Sequence, residues 1–299
     1  MKKIEAPENA AKLLVDVRGV LYGAFFWARK TYNMENTKEF HGAILYRFFQ
    51  KLKYAHYYAN TNRIYFCLDS KESKRKELYP EYKANRMKNE DLIACFPFFE
   101  KLQTVILPKM GFSNVVQYEG LEADDIIASI CINEKKLPVV IYSEDADLYQ
   151  CLKGNVTILS PSRSSDKFPS LMTVLKFQKI FELDPSMWVE VKAIAGCTTD
   201  NVKLLKGIGE TTAIKYLKGE LKSGMKKALI DVSPDVIAFT RKLVELPFGG
   251  EVLDIKYKPD DFNKEYFAKV IQEYGLASMA TDSFWNDFFG GVHNGFYRD

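Results

Sequence analysis

Apolar residues in the first half of the chain fall into short runs separated by longer stretches at helical spacing. Residues 12–17, Lys12-Leu13-Leu14-Val15-Asp16-Val17, are too few for a helix and suit a buried strand. Over residues 39–58, Ile44, Leu45, Phe48, Phe49 and Leu52 recur at helical intervals, and residues 63–69 read as a second strand. The later part of 92–110 has helical character, 114–118 is a brief strand and 122–134 a helix. Strands follow at 139–142 and 156–159, the last ending at Ser160-Pro161. This alternation predicts an α/β domain with a mostly parallel central sheet flanked by helices. Residues 170–246 read instead as almost entirely helical, broken at Pro185, Gly207, Gly209, Gly224 and Pro234. The shift near 160 separates an α/β core, 1–160, from a mainly helical subdomain and C-terminal tail, 161–299. No repeat or low-complexity linker interrupts the chain.

Composition narrows the class without naming a function. Hydrophobic residues make up 47% and charged residues 27%, an ordinary globular mixture. No apolar run approaches the roughly 20 residues that span a bilayer. The start, Met1-Lys2-Lys3-Ile4-Glu5, leads into Pro7 rather than into a signal-peptide apolar stretch. A soluble, cytoplasmic monomer is expected, in the host cytoplasm if the chain is phage-encoded. Cys67, Cys95, Cys131, Cys151 and Cys197 are scattered without a Cys-x-x-Cys pair, so neither a zinc site nor disulfides are expected. His41, His56 and His293 lack metal-ligand spacing, which argues against histidine-based catalysis. A net charge of +3 is too small to diagnose nucleic-acid binding.

The candidate chemistry lies in carboxylates. Asp16 and Asp69 end apolar strands, and Asp145 and Asp147 follow the strand at 139–142. In open parallel sheets, ligands bind at the carboxyl ends of the strands, so neighbouring strands would bring these acids into one crevice. Glu122, Asp124 and Asp125 open a helix, where free N–H groups and the helix dipole favour negative charge. Each acid alone reads equally as a cap or a solvated loop residue. Together they cannot all stay ionised without cations, because like charges raise one another's pKa. Hard divalent ions answer this, and two Mg²⁺ or Mn²⁺ ions suit oxygen ligands better than Zn²⁺.

Two further segments suggest nucleic acid. Residues 71–86 leave the sheet directly after Asp69 and interleave Lys74, Arg75 and Lys76 with Tyr79 and Tyr82. They offer phosphate contacts and stacking faces, or else form a plain charged loop. Gly207-Ile208-Gly209 precedes Glu210, Thr211 and Thr212 at a helix start, a geometry that can receive phosphate or simply turn the chain.

The ordered blocks carry a resemblance. The strand ending in Asp16, the Asp69 strand, Tyr79-Pro80-Glu81-Tyr82-Lys83-Ala84-Asn85-Arg86, Glu122-Ala123-Asp124-Asp125, Ser143-Glu144-Asp145-Ala146-Asp147-Leu148 and residues 196–213 resemble the 5′-nuclease superfamily. The likeness is greatest to its phage flap endonuclease and phage RNase H branch, and it extends to the 5′→3′ exonuclease domains of bacterial DNA polymerase I. It implies a PIN-like core with an arch or clamp at about 71–110, and a helix–hairpin–helix type element gripping duplex DNA. Asp16, Asp69, Glu122 and Asp124 would hold one metal, with Asp125, Asp145, Asp147 and Asp200 around a second. Lys83 and Arg86 would meet the scissile phosphate, Tyr82 would stack on a terminal base, and Gly207, Ile208 and Gly209 would bind the duplex backbone. A monovalent cation at that turn is a further expectation.

The implied activity is Mg²⁺-dependent hydrolysis of flap, nicked or RNA-primed DNA in replication or repair. A catalytically weak branched-DNA-binding protein and a PIN-type ribonuclease are the alternatives. The sequence departs from the family pattern in two places. Cys197 stands where Gly-Asp-x-x-Asp-Asn has its first aspartate, which predicts a weakened second metal position. Arg18 follows Asp16 closely and adds a positive charge near the metals. The stretch from Arg86 to Phe98 is also short for a full arch. The aromatic tail (Phe284, Trp285, Phe288, Phe289, Phe296, Tyr297) reads first as self-packing and second as a docking segment for replication proteins.

Overall fold

The computed structural model describes residues 10–86, 89–161, 170–202, 205–261 and 263–279. The aromatic tail lies outside these residues. The chain runs β1 (Lys12–Asp16), α1 (Val17–Thr31), α2 (Thr37–Ala59), β2 (Arg63–Cys67) and α3 (Lys74–Leu78). Next come α4 (Glu90–Ala94), α5 (Phe96–Lys101), a π-turn at Leu102–Ile106, α6 (Leu107–Lys109) and β3 (Val115–Val116). Then follow α7 (Ala123–Asn133), β4 (Val139–Tyr142), a 3₁₀ turn at Ala146–Cys151, β5 (Val156–Ser160) and β6 (Ser170–Met172). The remainder is α8 (Val174–Phe181), α9 (Trp188–Ala195), α10 (Glu210–Leu217), α11 (Met225–Asp231), α12 (Pro234–Val244) and α13 (Lys264–Tyr274).

The six strands lie in the order β3-β2-β1-β4-β5-β6, parallel except for the β5–β6 pair. The chain leaves β1 toward β2 and β3, then returns to the other side for β4 and β5. That reversal places a crevice at the carboxyl ends of β1 and β4. Alternation along β1 decides its two faces. Leu13 and Val15 join a core with α1, α2 and α13, including Phe25, Phe48 and Phe267. Leu14 joins the opposite core with Ile126, Ile127, Trp188 and Val191 from α7 and α9.

Several features go beyond or depart from the sequence reading. Residues 17–31 form a full helix that the hydrophobic pattern did not announce, N-capped by Asp16, whose side chain accepts from the Gly19 amide at 3.1 Å. A Cβ at Gly19 would fall 2.7 Å from Asp16 Oδ2, so the carboxylate needs glycine beside it. The later part of 92–110 is helical as expected, running without a gap over 96–109, but it is interrupted by a π-turn and carries a proline. Pro108 has no N–H for an i→i−4 bond, and a π-turn precedes it. Residues 170–172, read as helical, are the antiparallel edge strand β6. The sheet takes its sixth strand beyond residue 160, and residues 253–260 strap the β3 side before α13 enters the first core. Asn133 Nδ2 donates to Leu253 O at 2.8 Å and Asn114 Nδ2 to Lys258 O at 2.7 Å, fixing the strap.

Candidate active site

Three strand ends and one helix start deliver acids to the crevice. Asp16 ends β1, Asp69 lies two residues past β2, and Asp145 and Asp147 follow β4. Glu122 and Asp124 stand at the start of α7, whose Ala123 amide donates to Asp69 Oδ1 at 3.0 Å. Ser143, not anticipated from sequence, ties two of these ends together. Its hydroxyl donates to Asp16 Oδ2 at 2.9 Å and accepts from the Asp145 amide at 3.1 Å.

The acids divide by their partners. Asp69 pairs with Arg18 at 2.7 Å, Glu122 with Lys83 at 2.6 Å, Asp200 with Arg86 at 2.7 Å and Asp147 with Lys192 at 2.7 Å. Asp16, Asp124 and Asp145 have no cation within 4.0 Å among the described residues. Their ionisation reflects this. Burial and then Asp69 raise the Asp16 carboxyl. Burial followed by Asp145, Asp16 and Asp69 pushes Asp124 well above the carboxylate range. Asp145 is exposed at the surface, yet desolvation of its carboxyl, followed by Asp147, brings it up to about 6. Glu122 behaves oppositely, because Lys83 and Arg75 together outweigh its burial and hold it low. The centre of the crevice is thus a group of uncompensated carboxylates inside a rim of paired ones.

The segment after α3 supplies much of that rim, and a loop near residue 200 holds it. Lys83 N donates to Asp200 O at 2.8 Å, Asn85 Nδ2 to Thr198 O at 3.0 Å and Asn201 Nδ2 to Glu81 O at 2.8 Å. Lys83 adopts a left-handed backbone (φ 59°), which helps turn its ammonium toward Glu122.

The structure corrects three roles suggested by the sequence. Tyr82 is only 4% exposed, and its hydroxyl lies 2.9 Å from Glu122 Oε2 and 3.1 Å from Asp200 Oδ2. A ring so enclosed cannot stack on a base. Arg75 is 3% exposed and forms a two-pronged pair with Asp125, both contacts at 2.7 Å, while its Nε donates to Leu243 O. It braces the core instead of facing phosphate. Asp125 is fully buried and also accepts from the Glu122 and Phe248 amides, so its oxygens are spent away from the crevice. One helix residue rotates the side chain by about 100°, which is why Asp124 and Asp125 face opposite surroundings. Lys74 approaches Glu251 at 3.5 Å, and Lys76 is exposed on the neighbouring surface.

Lys192 is the charged residue that sequence reasoning missed. It is 5% exposed and pairs with both Asp147 and Glu210 at 2.7 Å, linking the crevice to the start of α10. Its signal was a single charge inside the apolar segment Val191-Lys192-Ala193-Ile194, since a buried lysine requires partners. α9 and α10 pack together across the 196–209 turn. Within it Gly207 has φ +80°, a conformation that favours glycine. Ile208 is buried and anchors the turn, whereas Gly207, Gly209 and Thr211 are exposed and Thr212 is half-buried.

Cys197 lies with Asp147 and Asp200. The three offer donor atoms all within 4.8 Å of one another, the one such trio among the described residues. Burial, then Asp147 and Asp200, pushes its thiol up to about 11. The central carboxylates form no trio so tight. Oxygen donors such as these carboxylates suit a hard divalent cation, while the sulfur-containing trio does not suit Mg²⁺.

A mostly parallel sheet with acids converging at its strand ends defines a resolvase-like, PIN-type α/β domain with an acidic crevice. The model of the 5′-3′ exonuclease N-terminal, resolvase-like domain matches residues 11–182, and the chain belongs to that family. A 5′-3′ exonuclease of Mycoplasmopsis pulmonis is 34% identical over 181 residues, covering 60% of this chain and 58% of that one. A DNA polymerase I of Caldicellulosiruptor bescii is 29% identical over 227 residues, covering 69% of this chain but 26% of the polymerase. The match thus spans between about a quarter and three-fifths of these curated relatives' lengths. Among solved structures, the 5′-exonuclease of bacteriophage T5 with bound zinc superposes with a TM-score of 0.61 at 19% identity, covering 79% of this chain and 90% of that one. The catalytic core of Rad2 in complex with DNA substrate gives 0.52 at 12% identity, covering 94% and 92%. These two likenesses establish the shared fold. No helix of the described residues is long and apolar enough to cross a membrane.

Proposed function

We propose that the protein is a structure-specific 5′-nuclease that hydrolyses phosphodiesters in flap, nicked or RNA-primed DNA, with divalent cations held by the crevice. The observation that carries this reading is the uncompensated centre of Asp16, Asp124 and Asp145 inside a rim bearing Lys83 and Arg86. Asp16, Asp69, Glu122, Asp124 and Asp145 would hold the first ion. Asp147 and Asp200 would flank a second. When bound, such ions supply an activated water and neutralise charge developing on the phosphate.

The protein's own groups do the positioning. Lys83 and Arg86 are paired with acids in this state. Cations binding to those acids would free both side chains for phosphate oxygens, with Arg86 able to engage two at once. Gly207, Gly209, Thr211 and Thr212 present amides and hydroxyls that suit the backbone of a duplex, and that turn is also where a monovalent cation would sit. Lys192 would couple this grip to Asp147 through Glu210. Exposed Lys76, with half-buried Lys74 beside it, would add sequence-independent attraction to phosphates.

The test is incubation with 5′-labelled flap, nicked duplex and single-stranded substrates in Mg²⁺, Mn²⁺ or chelator. Cleavage of the branched DNA with either metal, and none with chelator, is the expected result. Failure to cleave any substrate with either metal would remove the enzymatic reading.

A further inference from the structure

We infer that Lys51, with Arg47 one turn before it on α2, holds a backbone phosphate next to the one being cleaved, on the same strand. This rests on the proposed nuclease reading and adds to it a phosphate contact on α2, apart from the rim already described.

Along one face of α1, Gly19, Gly23 and Trp27 follow at intervals of one turn, each step about 6 Å along the axis. A charged group lies against each position. The Asp16 carboxylate crowds Gly19, since a Cβ there would fall 2.7 Å from Oδ2. The Lys51 ammonium lies against Gly23, where a Cβ would fall 2.5 Å from Nζ. The Arg47 guanidinium lies over the Trp27 ring, 5.5 Å from its centroid. One acid and two cations thus form a row leading away from the end of β1. Tyr142, the last residue of β4, is within range of the charges of Arg47 and Glu144, so the row also passes the carboxyl end of that strand.

Neither cation is answered within the protein. Among the described residues neither Lys51 nor Arg47 has a carboxylate within 4.0 Å. Glu144 acts on Lys51 from further away and is itself exposed. Arg47 donates to the neutral Gln50 Oε1 at 3.2 Å, while its buried Nε finds no partner. Like charges at i and i+4 repel one another. Both side chains are half-buried, where an uncompensated charge is costly. Burial lowers the Lys51 ammonium from its ordinary value; Glu144 opposes this and Arg47 adds to it. Such a pair calls for an anion, and one turn of helix is close to the spacing of successive phosphates along a strand. With the scissile phosphate at Asp16, its neighbour comes to Lys51.

Lys51→Met keeps most of the stem and removes the charge, so the variant should melt no lower than the full-length wild type. Binding of both proteins to a 5′-flap DNA is measured with Ca²⁺ in place of Mg²⁺ at several salt concentrations. Lys51→Met should bind about tenfold more weakly, the worth of one hydrogen bond between charged groups. The slope of log affinity against log salt should become shallower by about 0.7–0.9, as for one phosphate contact. Each linkage around the flap junction is then made neutral in turn as a methylphosphonate. One linkage of the flap-bearing strand should cost the wild type about tenfold and Lys51→Met almost nothing further, because the two changes remove the same contact. An unchanged slope in Lys51→Met, equal methylphosphonate effects in both proteins, or coupling confined to the other strand would overturn the inference. Cleavage by the wild type in Mg²⁺ alongside any of these results leaves the nuclease reading intact. Coupling at the flap-bearing strand without cleavage in Mg²⁺ or Mn²⁺ would sink that reading and leave the phosphate contact standing.

Discussion

Asp124→Asn should lower DNA cleavage by about 10³-fold or more while raising the thermal stability of the metal-free protein. Among the described residues Asp124 has no cationic partner within 4.0 Å, and it is surrounded by Asp145, Asp16, Asp69 and Glu122. Its charge is unfavourable in the empty crevice and useful only when cations fill it. Losing one central ligand removes several kcal/mol of stabilisation from the developing phosphate charge, which corresponds to about 10³-fold in rate. The same change relieves repulsion that raises this carboxyl well above its ordinary range. The metal-free variant should therefore melt at a higher temperature than the wild type. Duplex binding in chelator should be retained, because the exposed Gly207 turn and the lysines are untouched. Single-turnover cleavage and a melting curve check both halves. A variant that is inactive and also less stable would show Asp124 to be a structural residue.

The second large effect concerns stability alone. Arg75→Met should cost about 3–5 kcal/mol, because it leaves the fully buried Asp125 charge without its partner. Methionine fills much of the volume, so lost packing is the smaller part. Adding Asp125→Asn should recover a large share. Asparagine carries no charge, and its oxygen can still accept from one of the two amides that Asp125 serves. Urea melts of the single and double variants measure this. If the double variant is no more stable than Arg75→Met, the unpaired charge is not what destabilises the single variant.

These contrasts show what the sequence could reveal. Acids at strand ends were legible only as a set: each alone reads as a cap or a loop residue, but parallel strands send their ends to one place. Asp16, Asp69 and Asp145 were found that way. The roles of Arg75, Tyr82 and Asp125 were not legible, since burial there comes from distant chain. Arg75 meets Leu243 and Glu245, and Tyr82 meets Asp200. Basic and aromatic residues near a crevice look the same from sequence whether they face solvent or a returning loop. The helix at 17–31 was obscured by Gly19 and Gly23, which lower helix propensity. Asp16 Oδ2 lies 2.7 Å from where a Gly19 Cβ would be, and Lys51 Nζ lies 2.5 Å from the corresponding Gly23 position.

The rim of paired acids also bears on regulation by metal. Arg18, Lys83, Arg86 and Lys192 each occupy a carboxylate oxygen in the metal-free state. An incoming ion must compete with them, and its arrival releases cations toward the substrate. Metal binding and phosphate binding are therefore expected to reinforce one another.

The most direct measurement is anomalous diffraction from crystals soaked in Mn²⁺. The account places one strong peak among Asp16, Asp69, Glu122, Asp124 and Asp145, with a weaker one or none at Asp147, Cys197 and Asp200. Absence of a peak at the central carboxylates in a well-diffracting soaked crystal, or manganese bound only outside the crevice, would contradict it.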